Sequence, residues 1–138
     1  MREILFRGQT RRKGERIINV RGDKCDSNWV YGGIFPQNNG GDFAIIYQQT
    51  PEIKKYTVYA DTVGQYTGLT DKSGNKIFEG DIVQAFECIY VIMWDSVRAM
   101  FYLRDPISRV SADFYNYFGS DLTVIGNIHD DPELLKKE

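Results

Sequence analysis

Three carboxylates, Asp71, Glu79 and Asp81, are the residues of this chain whose types and spacing come nearest to a catalytic set. Glu79 and Asp81 flank Gly80, so in an extended backbone their side chains share one face. With Asp71 they would offer oxygen ligands to a divalent cation, or an acid/base pair. The same residues also suit turns. Aspartate accepts hydrogen bonds from its own backbone and glycine supplies positive φ, which accounts for Asp71-Lys-Ser-Gly-Asn75 and Glu79-Gly-Asp81 without any chemistry. General acid/base work needs a further positioned partner and none is readable, so turn formation is the stronger reading.

A second constellation is basic and aromatic. Residues 1–24 hold eight Lys/Arg against three acids, a net +5, which leaves −7 on the remainder of a chain whose formal charge is −2. Arg11, Arg12 and Lys13, with Trp29, Tyr31, Tyr56, Tyr59 and Tyr66, could form a stacking platform for single-stranded nucleic acid. Rings at alternating strand positions serve a core or a subunit interface equally well. The cationic cluster is confined to residues 1–24 and the whole chain is acidic, so a protein partner is favoured over nucleic acid.

The remaining candidates are weaker. Ser73-Gly74-Asn75 resembles an anion nest but lacks the Gly-Lys-Ser/Thr of a phosphate loop, and a hairpin turn explains it. His129, the single histidine, lies beside Asp130 and Asp131 and reads as a surface residue. Cys25 and Cys88 form no Cys-x-x-Cys pair, and one histidine is too few for a zinc set. Cys88, at the head of an apolar run, reads as an inert core residue.

The elements that must position these groups are mostly strands. Glu3–Arg7 reads as a strand and Gly8–Gly14 as a polar turn. Arg16–Val20 is a further candidate strand, followed by Asn28–Gly32, with Pro36 ending the next run because it cannot donate to a ladder. Phe43–Tyr47 is a short apolar strand, and Lys55–Tyr59 alternates rings and β-branched residues. Asp81–Phe86 and Cys88–Trp94 follow, the latter apolar at nearly every position and therefore central. Arg98–Arg104 returns as a hairpin partner, Phe114–Phe118 is ambiguous, and Leu122–Ile125 is a last strand. Asp131-Pro132-Glu133 carries the signals of a short C-terminal helix, with Lys136 and Lys137 suited to its negative end.

A length of 138 residues fits one domain with a small appendage, and 42% hydrophobic with 26% charged residues is ordinary for a globular protein. Aromatics at 14% tilt the balance toward β-structure. There is no apolar run long enough for a membrane-spanning helix, and the first apolar run is too short for a secretory signal, so the expected compartment is the cytosol.

Several blocks resemble a known family. Leu5-Phe-Arg-Gly8, Trp29-Val-Tyr-Gly32, Thr62-Val-Gly-Gln-Tyr-Thr-Gly-Leu69, Asp71-Lys-Ser-Gly-Asn-Lys-Ile-Phe-Glu-Gly-Asp-Ile-Val83, Val124-Ile-Gly-Asn-Ile128 and Glu133-Leu-Leu135 are together similar to the YopX family of phage and prophage proteins. The blocks run from end to end, while 9–27, 36–55 and 104–121 do not align. The resemblance implies a phage-associated origin and self-assembly, and assigns no catalytic residues.

The expected fold is mainly β. It comprises an N-terminal β subdomain (1–59) and an SH3-like small β-barrel on residues 60–128, within a unit 60–138 that ends in the short helix. The expected function is a non-enzymatic, self-assembling interaction module in the bacterial host cytosol, without cofactor or metal and with a phage or host protein as further partner. Its candidate contact residues are Arg11, Arg12, Lys13, Trp29, Tyr66, Asp71, Glu79 and Asp81. A nucleic-acid-binding barrel and a metal-dependent enzyme built on Asp71, Glu79 and Asp81 are the alternatives.

Overall fold

The computed structural model describes residues 3–15, 26–35, 41–49, 51–107, 111–113 and 121–135. Its strands are β1 (Phe6–Arg11), β2 (Asn28–Phe35), β3 (Phe43–Gln48), β4 (Lys54–Tyr59), β5 (Gly64–Thr70), β6 (Lys76–Phe78), β7 (Asp81–Ala85), β8 (Cys88–Asp95), β9 (Met100–Arg104), β10 (Ser111–Asp113) and β11 (Thr123–Asn127). They form two antiparallel sheets. Two compact units divide the chain, residues 1–65 and 66–138, and β5 runs through the boundary. The expected Arg16–Val20 strand, Cys25 and the Phe114–Phe118 stretch lie outside the described residues.

In the first unit the strands are ordered β4-β3-β2-β1, and Gly64 and Gln65 of β5 pair with Arg7 and Phe6. Alternation puts Val30, Ala44, Ile46 and Val58 on one face, where they form the core with Phe6, Ile34 and Tyr56 packed against it. A 3₁₀ turn at Ala60–Thr62 follows β4. There the buried Thr62 hydroxyl donates to the Tyr59 carbonyl at 2.6 Å and accepts the Gln9 N–H at 2.9 Å. The polar run beginning at Gly8 is therefore not the turn its composition suggests. Gly8–Arg11 belongs to β1, because β2 pairs along that strand and Gln9 is enclosed. Long-range pairing outweighs local polarity.

In the second unit the sheet order is β10-β9-β8-β7-β11, while Tyr66 and Thr70 of β5 pair with Phe78 and Lys76 of β6. Ile77, Val83, Ala85, Tyr90, Ile92, Leu103 and Leu122 make its core, and β8 is the central strand its apolar run indicates. Three expectations need correction. The expected SH3-like barrel does not close among the described residues: β10 pairs with β9 and β11 with β7, so each ends the sheet. The C-terminal helix is absent there too, and Pro132–Leu135 makes a single 3₁₀ turn. Its start signals are present, but one turn with no buried residue cannot offset the cost of nucleating an α-helix. Cys88 is exposed rather than core, because it stands at the hairpin end of β8, beyond Tyr90 where the core face begins.

Candidate interaction surface

Asp71 and Asp81, two of the three carboxylates that come nearest to a catalytic set, are bound into backbone. Asp71 is 4% exposed. Its Oδ1 accepts the N–H groups of Ser73 (2.9 Å) and Asn75 (2.8 Å), and its Oδ2 accepts the Val124 N–H (3.0 Å) and the Asn75 side-chain amide (3.3 Å). Burial pushes its pKa up, but donation from Val124, Asn75 and Ser73 more than reverses this and holds it below the ordinary carboxylate value. Asp71 thus closes the β5–β6 turn and ties it to β11. Asp81, 2% exposed, accepts the Phe78 N–H at 2.7 Å across the next turn. Between them Gly80, at φ +91°, donates to the Ile92 carbonyl (2.8 Å) and accepts from the Ile128 N–H (3.0 Å). A side chain at that φ would be strained. Glu79 sits half-buried in the same turn. Among the described residues no three His, Cys, Asp or Glu side chains stand together as a metal site requires.

The basic and aromatic candidates are distributed between the units. Tyr66 is buried in the second unit, its ring 5.6 Å from that of Phe78, and cannot stack on a base. In the first unit Trp29 is half-buried with the Arg7 guanidinium 4.6 Å from its ring centre. Arg11 donates through Nε to the Asp26 carbonyl at 3.1 Å. Lys13 is exposed in the turn after β1. Arg12 lies 4.0 Å over the Tyr59 ring and donates to Asp61 at 2.9 Å. The Tyr59 hydroxyl donates to Glu15, and that bond is the chief reason its pKa is raised; burial adds to it and Arg12 opposes it. Of the predicted contact residues, Arg12 alone is seated on an exposed aromatic surface.

That surface is the second face of the β2–β3–β4 sheet. Register places Phe43 opposite Tyr59, Phe35 opposite Ile45 opposite Thr57, and Gly33 opposite Tyr47 opposite Lys55. The rings touch along it, Phe43 to Tyr59 at 5.4 Å and Phe35 to Tyr47 at 4.8 Å, and the Lys55 ammonium stands 5.2 Å from the Phe35 ring centre. Gly33 makes room for this, since a Cβ there would come within 2.4 Å of the Tyr47 ring. Phe43 is 52% exposed and Phe35 and Tyr31 are also exposed. A shallow cleft of ≈ 590 Å³ beside Phe43 and Tyr59 is lined by Arg12, Asp42 and Asp61. An antiparallel sheet usually turns a polar face to water, and the rings on this outer face depart from that pattern. Phe35, Phe43, Ile45, Tyr47 and Lys55 were missed in the sequence. The available signal was Phe43–Tyr47, apolar at every position instead of at alternate ones.

Comparison with known proteins bears on lineage and fold. A family model described as YopX protein matches residues 21–136. Among solved structures the chain is similar to protein EF1440 from Enterococcus faecalis, whose crystal structure shares 20% identity at a TM-score of 0.51, covering 99% of this chain and 100% of that one. At that identity the likeness is one of fold. No curated protein matches the chain.

Proposed function

The chain belongs to the YopX family, and from that premise we propose that it is a non-enzymatic, phage- or prophage-derived module that assembles with itself and with a phage or host protein in the bacterial cytosol. The observation that carries this reading is the aromatic outer face of β2–β3–β4, with Phe43, Phe35 and Tyr31 exposed beside a mixed charged rim. Aromatic residues and arginine are what protein interfaces concentrate. The engagement of Asp71 and Asp81 by backbone N–H groups supports a structural role for the residues that most resembled chemistry. Among the described residues no helix is long and apolar enough to cross a membrane. Sedimentation equilibrium should show mass rising above the monomer as the concentration passes through the micromolar range. A strict monomer throughout would remove self-assembly.

The cations set against Tyr59 and Phe35 favour a second reading, binding of single-stranded nucleic acid. It requires salt-sensitive retardation of an oligonucleotide that weakens when Arg11, Arg12 and Lys13 become Ala, and absence of binding at low salt would end it.

A further inference from the structure

The turn between β7 and β8 holds a residue that the packing of the second unit does not explain. Phe86 and Glu87 join the paired residues Ala85 and Cys88. Two-residue hairpin turns need positive φ at their first position and favour Gly, Asn or Asp there. Phe86 takes that conformation at φ +56°, with the residue 81% exposed. Its ring meets no other ring or cation among the described residues. Strain and an uncovered ring both disfavour the fold, and strain of this kind collects at functional sites.

Beside the ring lies an open cleft of ≈ 530 Å³ lined by Lys72, Gln84, Asp121 and Thr123, all in the second unit. Gln84 and Thr123 stand directly opposite in the β7–β11 ladder. The Lys72 N–H donates to the Leu122 carbonyl at 3.0 Å, which fixes the β5–β6 turn beside the start of β11. The Gln84 amide donates to the Phe86 carbonyl at 3.2 Å and so ties the cleft wall to the strained turn. The side chains of Lys72 and Asp121 are exposed and, among the described residues, pair neither with each other nor with anything else. The cleft therefore offers a donor-only ammonium and an acceptor-only carboxylate next to a flat apolar ring.

We propose that this cleft binds a guanine base, stacked on Phe86, with its N1–H and N2–H groups on the Asp121 carboxylate and its O6 accepting from Lys72. Exposed charges contribute little by themselves, so affinity has to come from the ring, and a ring stacks a flat ligand. A zwitterionic amino acid matches both charges but relies on ion pairs that water weakens. Adenine and cytosine set an acceptor nitrogen beside their amino group, which a carboxylate repels, and uracil has a single N–H between two carbonyls. Guanine presents two neighbouring N–H donors with a carbonyl next to them, the pattern that a carboxylate and an ammonium complement. The base could belong to a free nucleotide or to a single strand. The site is in the second unit and stands whether or not the aromatic face of β2–β3–β4 mediates assembly.

The test is an amide NMR titration of the full chain with guanosine, adenosine, cytidine and uridine. These probes carry no phosphate, so the cations of the first unit have little to hold. Guanosine should shift the amides of Lys72, Phe86, Glu87 and Thr123 with a Kd of about 0.1–1 mM, as one stacking contact in an open site allows. The other three nucleosides should bind roughly tenfold more weakly. Phe86→Tyr keeps the ring and should keep binding, whereas Phe86→Gly should weaken it about tenfold or more. Glycine suits the turn, so that loss cannot be a loss of fold. Asp121→Asn replaces two acceptors by one acceptor and one donor, and should reverse the preference from guanosine to xanthosine, which has a carbonyl in place of the amino group. Guanosine monophosphate and a short single strand carrying one guanine separate the sources. Tighter binding of the strand assigns the base to nucleic acid, and equal affinity assigns it to a free nucleotide; both uphold the site. Absence of shifts at about 2 mM guanosine, twice the weakest expected Kd, would overturn the proposal. So would an equal response to all four nucleosides, shifts confined to the first unit, or binding unchanged in Phe86→Gly. Shifts at the cleft from a free amino acid but not from guanosine would overturn it in favour of a zwitterion.

Discussion

Replacing Asp71 is the sharpest probe of how the second unit is held together. Its carboxylate accepts three backbone N–H groups and one side-chain amide while 4% exposed. Asp71→Asn keeps an acceptor where Oδ1 stands but turns an amide donor toward the Val124 N–H and the Asn75 side chain. One buried donor then lacks a partner, at a cost of about 2–3 kcal/mol. Asp71→Ala strips all three backbone donors. Water reaching the exposed Ser73 restores part of the loss, leaving a deficit of about 4 kcal/mol. The folded-state pKa of Asp71 lies below its unfolded value. Its contribution is therefore complete above the unfolded value, about 3.9, and disappears as pH falls through the lower folded value. The gap between wild type and Asp71→Asn should be full at pH 7 and shrink below about pH 4. Urea denaturation measures it. Trp29 belongs to the first unit and Trp94 to the second, so a Trp29→Phe background lets Trp94 fluorescence follow the second unit alone. If Asp71→Asn unfolds within about 0.5 kcal/mol of wild type at pH 7, the carboxylate does not hold the turn to β11 and the reasoning fails.

Two further outcomes follow from the same architecture. Phe86 sits at φ +56° and is 81% exposed in the β7–β8 hairpin turn, so Phe86→Gly should raise stability by about 1 kcal/mol in the same denaturation assay, and a loss would contradict the strain. Because the oxygens of Asp71 and Asp81 are taken by N–H donors, millimolar Mg²⁺, Mn²⁺ or Ca²⁺ should leave the Tm within about 1 °C, and a rise of several degrees would reinstate a metal site there.

Where local chemistry decides structure, the sequence was readable. Asp71-Lys-Ser-Gly-Asn75 and Glu79-Gly-Asp81 make their turns through contacts within a few residues, and both appear as expected. Phe43–Gln48, Lys54–Tyr59 and Cys88–Asp95 are strands close to where ring and β-branched content put them. What depends on distant partners was not readable. Gly8 to Arg11 is polar and looks like a turn, yet it becomes a strand because β2 supplies the pairing. The hairpin motif at 71–83 suggests a barrel, but closure depends on the strands at the sheet's two ends, and no local residue states whether they meet. The outer face was overlooked for a related reason. An uninterrupted apolar strand reads as covered on both sides, and only the register shows Phe43, Phe35 and Tyr47 gathered on the uncovered one.

The bond from Val124 to Asp71 spans 53 residues of chain, and it has a consequence for synthesis. Closing a loop of that length costs about 3.5 kcal/mol in chain entropy beyond a constant, so the contact forms after the local hairpins. On the ribosome the β5–β6 turn is complete long before residue 124 emerges. Until then Oδ2 of Asp71 lacks its Val124 donor and the β7 edge that β11 will cover is open to other strands. A nascent chain stalled between residues 95 and 123 is therefore the form most exposed to mispairing and to proteolysis. Emergence of β11 commits the second unit to its fold.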